Sequence, residues 1–138
     1  MGFDAAYSFG AYDGALRQLI HLLKYERIRS LAGPLAGYLA AAYPRDQRFA
    51  ALVPMPLHWR RYWSRGFNQS ALLARELGRR LGIPVVKAVR RRRPTAPQAG
   101  LTNSRRRLNV AGAFAANPDL AGGARLLVLD DVLTTGAT

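Results

Sequence analysis

Strands alternating with helices predict an α/β fold whose sheet is mainly parallel and flanked by helices. Two observations carry the expectation. Leucines and isoleucines recur at helical spacing in three segments, and short apolar runs bounded by turn residues fall between and after those segments. The 138 residues contain no internal repeat and no linker that would divide them. Residues 1–138 are therefore read as a single domain, with an N-terminal helical part over 1–48 and an α/β core over 49–138.

The elements follow in order. Asp13 can cap a helix over 14–25, where Leu16, Leu19, Ile20 and Leu23 make one apolar face. Ser30 can cap a second helix over 31–43, with Leu31, Leu35 and Leu39 four apart and Pro34 tolerated in the first turn. The apolar run 49–53, closed by Pro54-Met55-Pro56, reads as a buried strand entering a stiff loop. An arginine- and aromatic-rich loop covers 57–67. Asn68 then caps a third helix over 69–81, stopped by Gly82 and Pro84. A second strand is expected over 83–89, a long mobile basic loop over 90–108 and a third strand over 110–115. Turn signals at Asn117-Pro118 and Gly122-Gly123 precede a fourth strand, Leu126-Leu127-Val128-Leu129, apolar as expected when both faces are covered.

Composition narrows the classes of function. The chain carries 21 basic and 8 acidic residues, a net +13, and no cysteine. Disulfides and cysteine-ligated zinc are thereby excluded, and the composition fits a reducing cytoplasm. No apolar stretch reaches the length of a membrane span, and the first residues have no signal-peptide pattern. The positive charge is localised. Thirteen arginines and Lys87 lie within 58–107 against Glu76 alone, while the remaining basic and acidic residues balance. Such a band attracts polyanions, although a solvated arginine-rich face would look the same. Trp59, Tyr62 and Trp63 interleave with Arg60, Arg61 and Arg65, which suits stacking on bases and equally suits packing on the domain. His58 reads as a turn residue and His21 as a surface or packing residue.

The strongest chemical signal closes the chain. After the apolar strand come Asp130-Asp131-Val132-Leu133 and then Thr134-Thr135-Gly136-Ala137-Thr138. Ligands of open α/β sheets bind at the carboxyl ends of the strands. Two carboxylates there can accept hydrogen bonds from sugar hydroxyls. Small residues, hydroxyls and successive amides can surround a phosphate, and Gly136 lets the backbone come close. The pairing suits a phosphorylated sugar. The segment is not a Walker A loop, lacking its leading glycine and its Gly-Lys step. The bland alternative is a strand, a turn and a capped helix with a solvated acid pair. Adjacent like charges at the end of a core strand disfavour it.

This segment resembles the phosphoribosyl pyrophosphate (PRPP) motif of type I phosphoribosyltransferases. Further motifs resemble the ComF competence-protein family within that class. They are Leu-Lys-Tyr ending at Tyr25, Val53-Pro54-Met55-Pro56-Leu57-His58, Arg65-Gly66-Phe67-Asn68-Gln69, Pro97-Gln98-Ala99-Gly100-Leu101, Arg105-Arg106-Arg107-Leu108-Asn109-Val110 and Gly112-Ala113-Phe114. The resemblance implies a type I phosphoribosyltransferase-like fold that binds PRPP with substrate-borne Mg²⁺ and transfers phosphoribosyl to an acceptor, releasing pyrophosphate. It gives Asp130 and Asp131 the ribose hydroxyls, and gives Thr134, Thr135, Gly136, Ala137 and Thr138 the 5′-phosphate. By position it assigns pyrophosphate to the loop holding Met55, Pro56, Arg60 and Arg61, and closure over the site to 90–109. No residue is expected to be a dedicated metal ligand. The family's cysteine zinc module has no counterpart here, and its core continues beyond the phosphate loop, so the C-terminal part of the core is expected to be missing. The alternative expectation is a non-catalytic basic module of the DNA-uptake machinery that binds single-stranded DNA or competence proteins in the cytoplasm.

Overall fold

The computed structural model describes residues 4–57, 62–63, 66–93, 95 and 102–133. Their element order is α1 (Gly14–Tyr25), a 3₁₀ turn (Arg29–Leu31), α2 (Ala32–Ala41), β1 (Ala51–Pro54), α3 (Gln69–Leu81), β2 (Val89–Arg91), α4 (Asn103–Val110), β3 (Phe114–Ala116), the single-turn α5 (Pro118–Ala121) and β4 (Leu126–Leu129). The chain is thus a mixed α/β protein. No helix among the described residues is long and apolar enough to cross a membrane.

The first helix has the predicted bounds but not the predicted cap. Asp13 is extended and its carboxylate makes no capping bond, while its backbone carbonyl accepts from the Arg17 amide at 3.0 Å. Nor does Ser30 cap α2. The residues around it wind as 3₁₀, which hands the cap position to Leu31. The third helix is capped as expected. Asn68 Oδ1 accepts from the Ala71 amide at 3.3 Å, and Gly82 ends the helix in the left-handed region at φ 67°. Its polar face turns outward, while Leu73, Ala74 and Leu77 join Ile20, Leu23, Leu35, Ala36, Leu52 and Leu129 in one core. Each buried leucine there contributes roughly 1.5–3 kcal/mol. At Gly78 the helix presses so close to the following chain that an added Cβ would lie 2.6 Å from the Ile83 carbonyl oxygen.

The sheet departs from expectation in two places. Strand β1 pairs with β4 in parallel, from Ala51 opposite Leu126 to Pro54 opposite Leu129. On the other side of β1 the predicted strand 83–89 shrinks to one parallel bridge between Leu52 and Val85. Pro84 has no amide hydrogen, so it can accept from Leu52 (2.8 Å) but cannot extend the ladder. Beyond it, β2 pairs with β3 in antiparallel, Val89 opposite Ala116 and Arg91 opposite Phe114. The described pairing is therefore a short parallel sheet beside an antiparallel ribbon, not one mainly parallel sheet. Residues 103–110, read as loop and strand, form α4, and β3 starts only at Phe114. The turn at 117–123 contains α5, with Asn117 accepting from the Asp119 amide at 3.1 Å. Nor is β4 covered on both faces: Leu129 is buried, but Val128 is 52% exposed.

Candidate functional site at the carboxyl end of the parallel strands

Parallel pairing sends β1 and β4 out of the sheet on the same side. The Met55 amide still bonds the Leu129 carbonyl at 2.9 Å, so the two exits stay side by side. One exit carries Met55 and Pro56, both half-buried, and the other carries Asp130 and Asp131. The predicted pyrophosphate loop and acid pair are thus neighbours through this register. Arg60 and Arg61, and Thr134, Thr135, Gly136, Ala137 and Thr138, lie outside the described residues.

Helix α3 begins directly against the two exits. Asn68 serves twice, since its Oδ1 caps the helix and its Nδ2 donates to the Met55 carbonyl at 3.0 Å. The next two residues are polar yet buried, Gln69 at 3% and Ser70 at 2% exposure. Their partners explain this. Gln69 Nε2 donates to Asp131 Oδ2 at 2.9 Å, and Ser70 Oγ donates to Asp130 Oδ1 at 3.1 Å. The amino-terminal turn of α3, where backbone dipoles are positive, thus backs both carboxylates. Arg29 fastens the loop before it, donating to the Gly66 carbonyl at 3.2 Å and lying over the Phe67 ring at 5.0 Å.

The fourth contributor is remote in sequence. Lys24, in the last turn of α1, places Nζ 2.8 Å from Asp131 Oδ2. In the sequence, Lys24, Asn68 and Gln69 stand within motifs that give none of them a place in the site, and Ser70 lies outside those motifs. The available signal was a pair of polar residues directly after a helix cap at the start of an apolar face. Lys24 gave no local signal, because its partner is at the far end of the chain.

The two acids differ in their surroundings. The Asp131 side chain is only 6% exposed and shares Oδ2 between Lys24 and Gln69. Asp130 accepts on Oδ1 from Ser70 and from the Asp131 amide (2.9 Å), and the residue keeps an exposed surface. Crowding of its carboxyl by protein, and then the negative charge of Asp131, push its pKa from 3.8 up to about 6. Asp130 Oδ2 and Asp131 Oδ1 accept no bond among the described residues. Two acceptors left over at adjacent positions can receive the hydroxyls of a vicinal diol. As donors for Mg²⁺ the pair supplies hard oxygens but no cage. No cluster of three or more acidic or histidine side chains exists among the described residues. That donor set fits an ion carried mainly by substrate and water. An open hollow of about 540 Å³ along α1, lined by Arg17, Gln18 and His21 among others, contains none of these groups.

Fold and site together define a mixed α/β protein with an acidic pair at the carboxyl end of parallel strands. Among proteins of known name, the chain is 37% identical over 134 residues to DNA utilization protein YhgH of Escherichia coli, covering 92% of this chain and 59% of that protein. It is 41% identical over 145 residues to competence protein F of Haemophilus influenzae (99% and 63%), and 28% identical over 131 residues to competence protein ComFC of Bacillus subtilis (92% and 51%). These likenesses support the ComF family as the family of this chain. The chain spans about three-fifths of the length of the first two relatives. No protein-family model and no solved structure matches it.

Proposed function

We propose that the chain is phosphoribosyltransferase-like, binding PRPP with Mg²⁺ at the sheet end and transferring phosphoribosyl to an acceptor within a DNA-utilisation or competence process. The observation that carries this reading is the pair Asp130-Asp131 at the strand exit, backed by Gln69 and Ser70 of α3. In the reaction the bond from ribose C1 to pyrophosphate breaks, the acceptor's electron pair forms the new bond to C1, and pyrophosphate leaves. Positive charge grows on the sugar ring as the old bond lengthens. The carboxylates of Asp130 and Asp131 hold the ribose hydroxyls and face that charge. Ser70 and Gln69 keep the carboxylates from turning. Met55 and Pro56 border the leaving group, with Arg60 and Arg61 as its cationic partners. Thr134, Thr135, Gly136, Ala137 and Thr138 enclose the 5′-phosphate. Mg²⁺ would supply charge neutralisation for the departing pyrophosphate, and Asp130 is the residue whose oxygen would serve as its protein donor.

The test is calorimetric titration of Mg²⁺·PRPP into the 138-residue chain. Saturable binding that disappears in the double variant Asp130→Asn/Asp131→Asn is the expected result. A folded wild-type chain that takes up no PRPP overturns the reading.

A second reading is favoured by the names of the relatives and by the basic band. On this reading the chain is a non-catalytic module of DNA uptake that binds single-stranded DNA or competence proteins. The described Arg90, Arg92, Arg93 and Arg105 are exposed. Both activities can reside in one molecule, because the band and the acid pair use different residues.

A further inference from the structure

We propose that Lys24 is a positioning residue. Acting through Asp131, it fixes the acidic pair so that Asp131 is the anchored member and Asp130 presents its carboxylate to the ligand. The assignment rests on the sheet-end reading above and divides labour between two carboxylates that the sequence pattern treats alike.

Three observations lead to it. The Lys24–Asp131 pair is largely withdrawn from water, with side-chain exposures of 19% and 6%. Gln69 donates to the same oxygen, so Asp131 Oδ2 is held from two helices at once. Asp130 has no cation of its own within ion-pair distance among the described residues, and its only side-chain donor there is a neutral hydroxyl. A carboxylate gripped by an ammonium and an amide is a fixed post. A carboxylate held on one oxygen alone, at a residue that keeps an exposed surface, can take up a ligand with the other. The cation also sits where α1 favours it, in the last turn, against the negative end of the helix dipole. Removing it would leave a buried carboxylate beside a second carboxylate, and like charges in contact turn away from each other. The loss would therefore appear first at Asp131 and, through it, in the aim of Asp130.

The experiment compares wild type with Lys24→Met, Lys24→Arg, Asp131→Asn and the double variant Lys24→Met/Asp131→Asn. Mg²⁺·PRPP affinity is read by calorimetry well below each melting temperature. Lys24→Met should weaken binding by roughly tenfold or more, Lys24→Arg should stay within about threefold, and the double variant should be no weaker than its worse parent, because both changes break one clamp. Rescue by arginine is not expected of a packing defect. Unchanged affinity in Lys24→Met overturns the proposal. So do losses that multiply in the double variant, since Lys24 would then touch the ligand itself. If wild type binds no PRPP, the functional reading falls, and the clamp is judged separately by ¹³C-carboxyl NMR of aspartate-labelled protein. A Lys24→Met change that shifts Asp131 more than Asp130 upholds the clamp, and one that shifts neither, or shifts Asp130 more, overturns it.

Discussion

Asp130 is the side chain whose environment has the clearest consequence in solution. Its folded pKa, raised to about 6, lies above the value of 3.8 it has when unfolded. Between these values the folded chain binds more protons than the unfolded chain, so this group's contribution to stability falls as pH rises. The groups facing it are Asp131, Lys24 and Ser70. Asp130→Asn, which removes the charge, should therefore melt higher than wild type at pH 7.5. The advantage should shrink as pH falls through 6 towards 4, as read by thermal unfolding of both proteins across that range. An advantage independent of pH would mean that the carboxyl is not held away from water. The acid pair itself was legible in the sequence, because two adjacent carboxylates after an apolar strand have few reasons to be there. The asymmetry between them was not. It arises from Lys24 and Gln69, which approach Asp131 in space from helices that precede it in the chain.

Among the elements, α3 was the easiest to read and the most informative once seen. Its leucine spacing, its Asn68 cap and its Gly82 stop are local signals, and its bounds follow from them. Its close contact with the following chain is not local. Gly78 has room for a hydrogen but not for a methyl group, with the Ile83 oxygen at 2.6 Å and Val85 Cγ2 at 3.0 Å from an added Cβ. Alanine is favoured over glycine inside a helix by about 1 kcal/mol, while overpacking against backbone costs about 1–3 kcal/mol. The clash should win, because the atom that must move is a carbonyl and not a side-chain tip. Gly78→Ala is expected to lower the urea midpoint, corresponding to a net loss of up to about 2 kcal/mol; a raised midpoint would show that the chain after α3 yields freely. The strand that did not form, 83–89, failed for the same local reason that made it look bounded. Pro84 punctuates the sequence and also removes a donor from the ladder. Residues 103–110 misled in the opposite direction. Their charge reads as a solvated loop, but arginine and leucine are good helix formers.

At the scale of the whole molecule, the basic band divides once its residues are placed. Arg79 pairs with Glu76, Arg80 donates to the Gly33 carbonyl and helps tie α3 to α2, and Arg91 lies over the Phe114 ring at 5.1 Å. Arg93 donates to the Ala111 carbonyl. Part of the band therefore belongs to the architecture, and the charge of the sequence overstates what is offered to a partner. If the second functional reading holds, single-stranded DNA affinity should fall with salt at a logarithmic slope of roughly −0.7 for each phosphate neutralised. Fluorescence anisotropy from 50 to 300 mM salt measures it. Arg90→Ala/Arg92→Ala should flatten the slope by about one to two units. A slope near zero in wild type would remove the electrostatic basis of DNA binding.

The distances along the chain between partners have a consequence for synthesis. β1 and the helix that bears Lys24 leave the ribosome well before β4 and its two acids. At roughly 5–20 residues per second, the early elements wait on the order of several seconds for their last partner. During that interval one edge of β1 is unpaired and Leu52 and Val53 lack their neighbour strand. The candidate site thus forms only after the elements that back it, and a nascent chain halted before Leu126 would present a sticky strand edge without the acid pair.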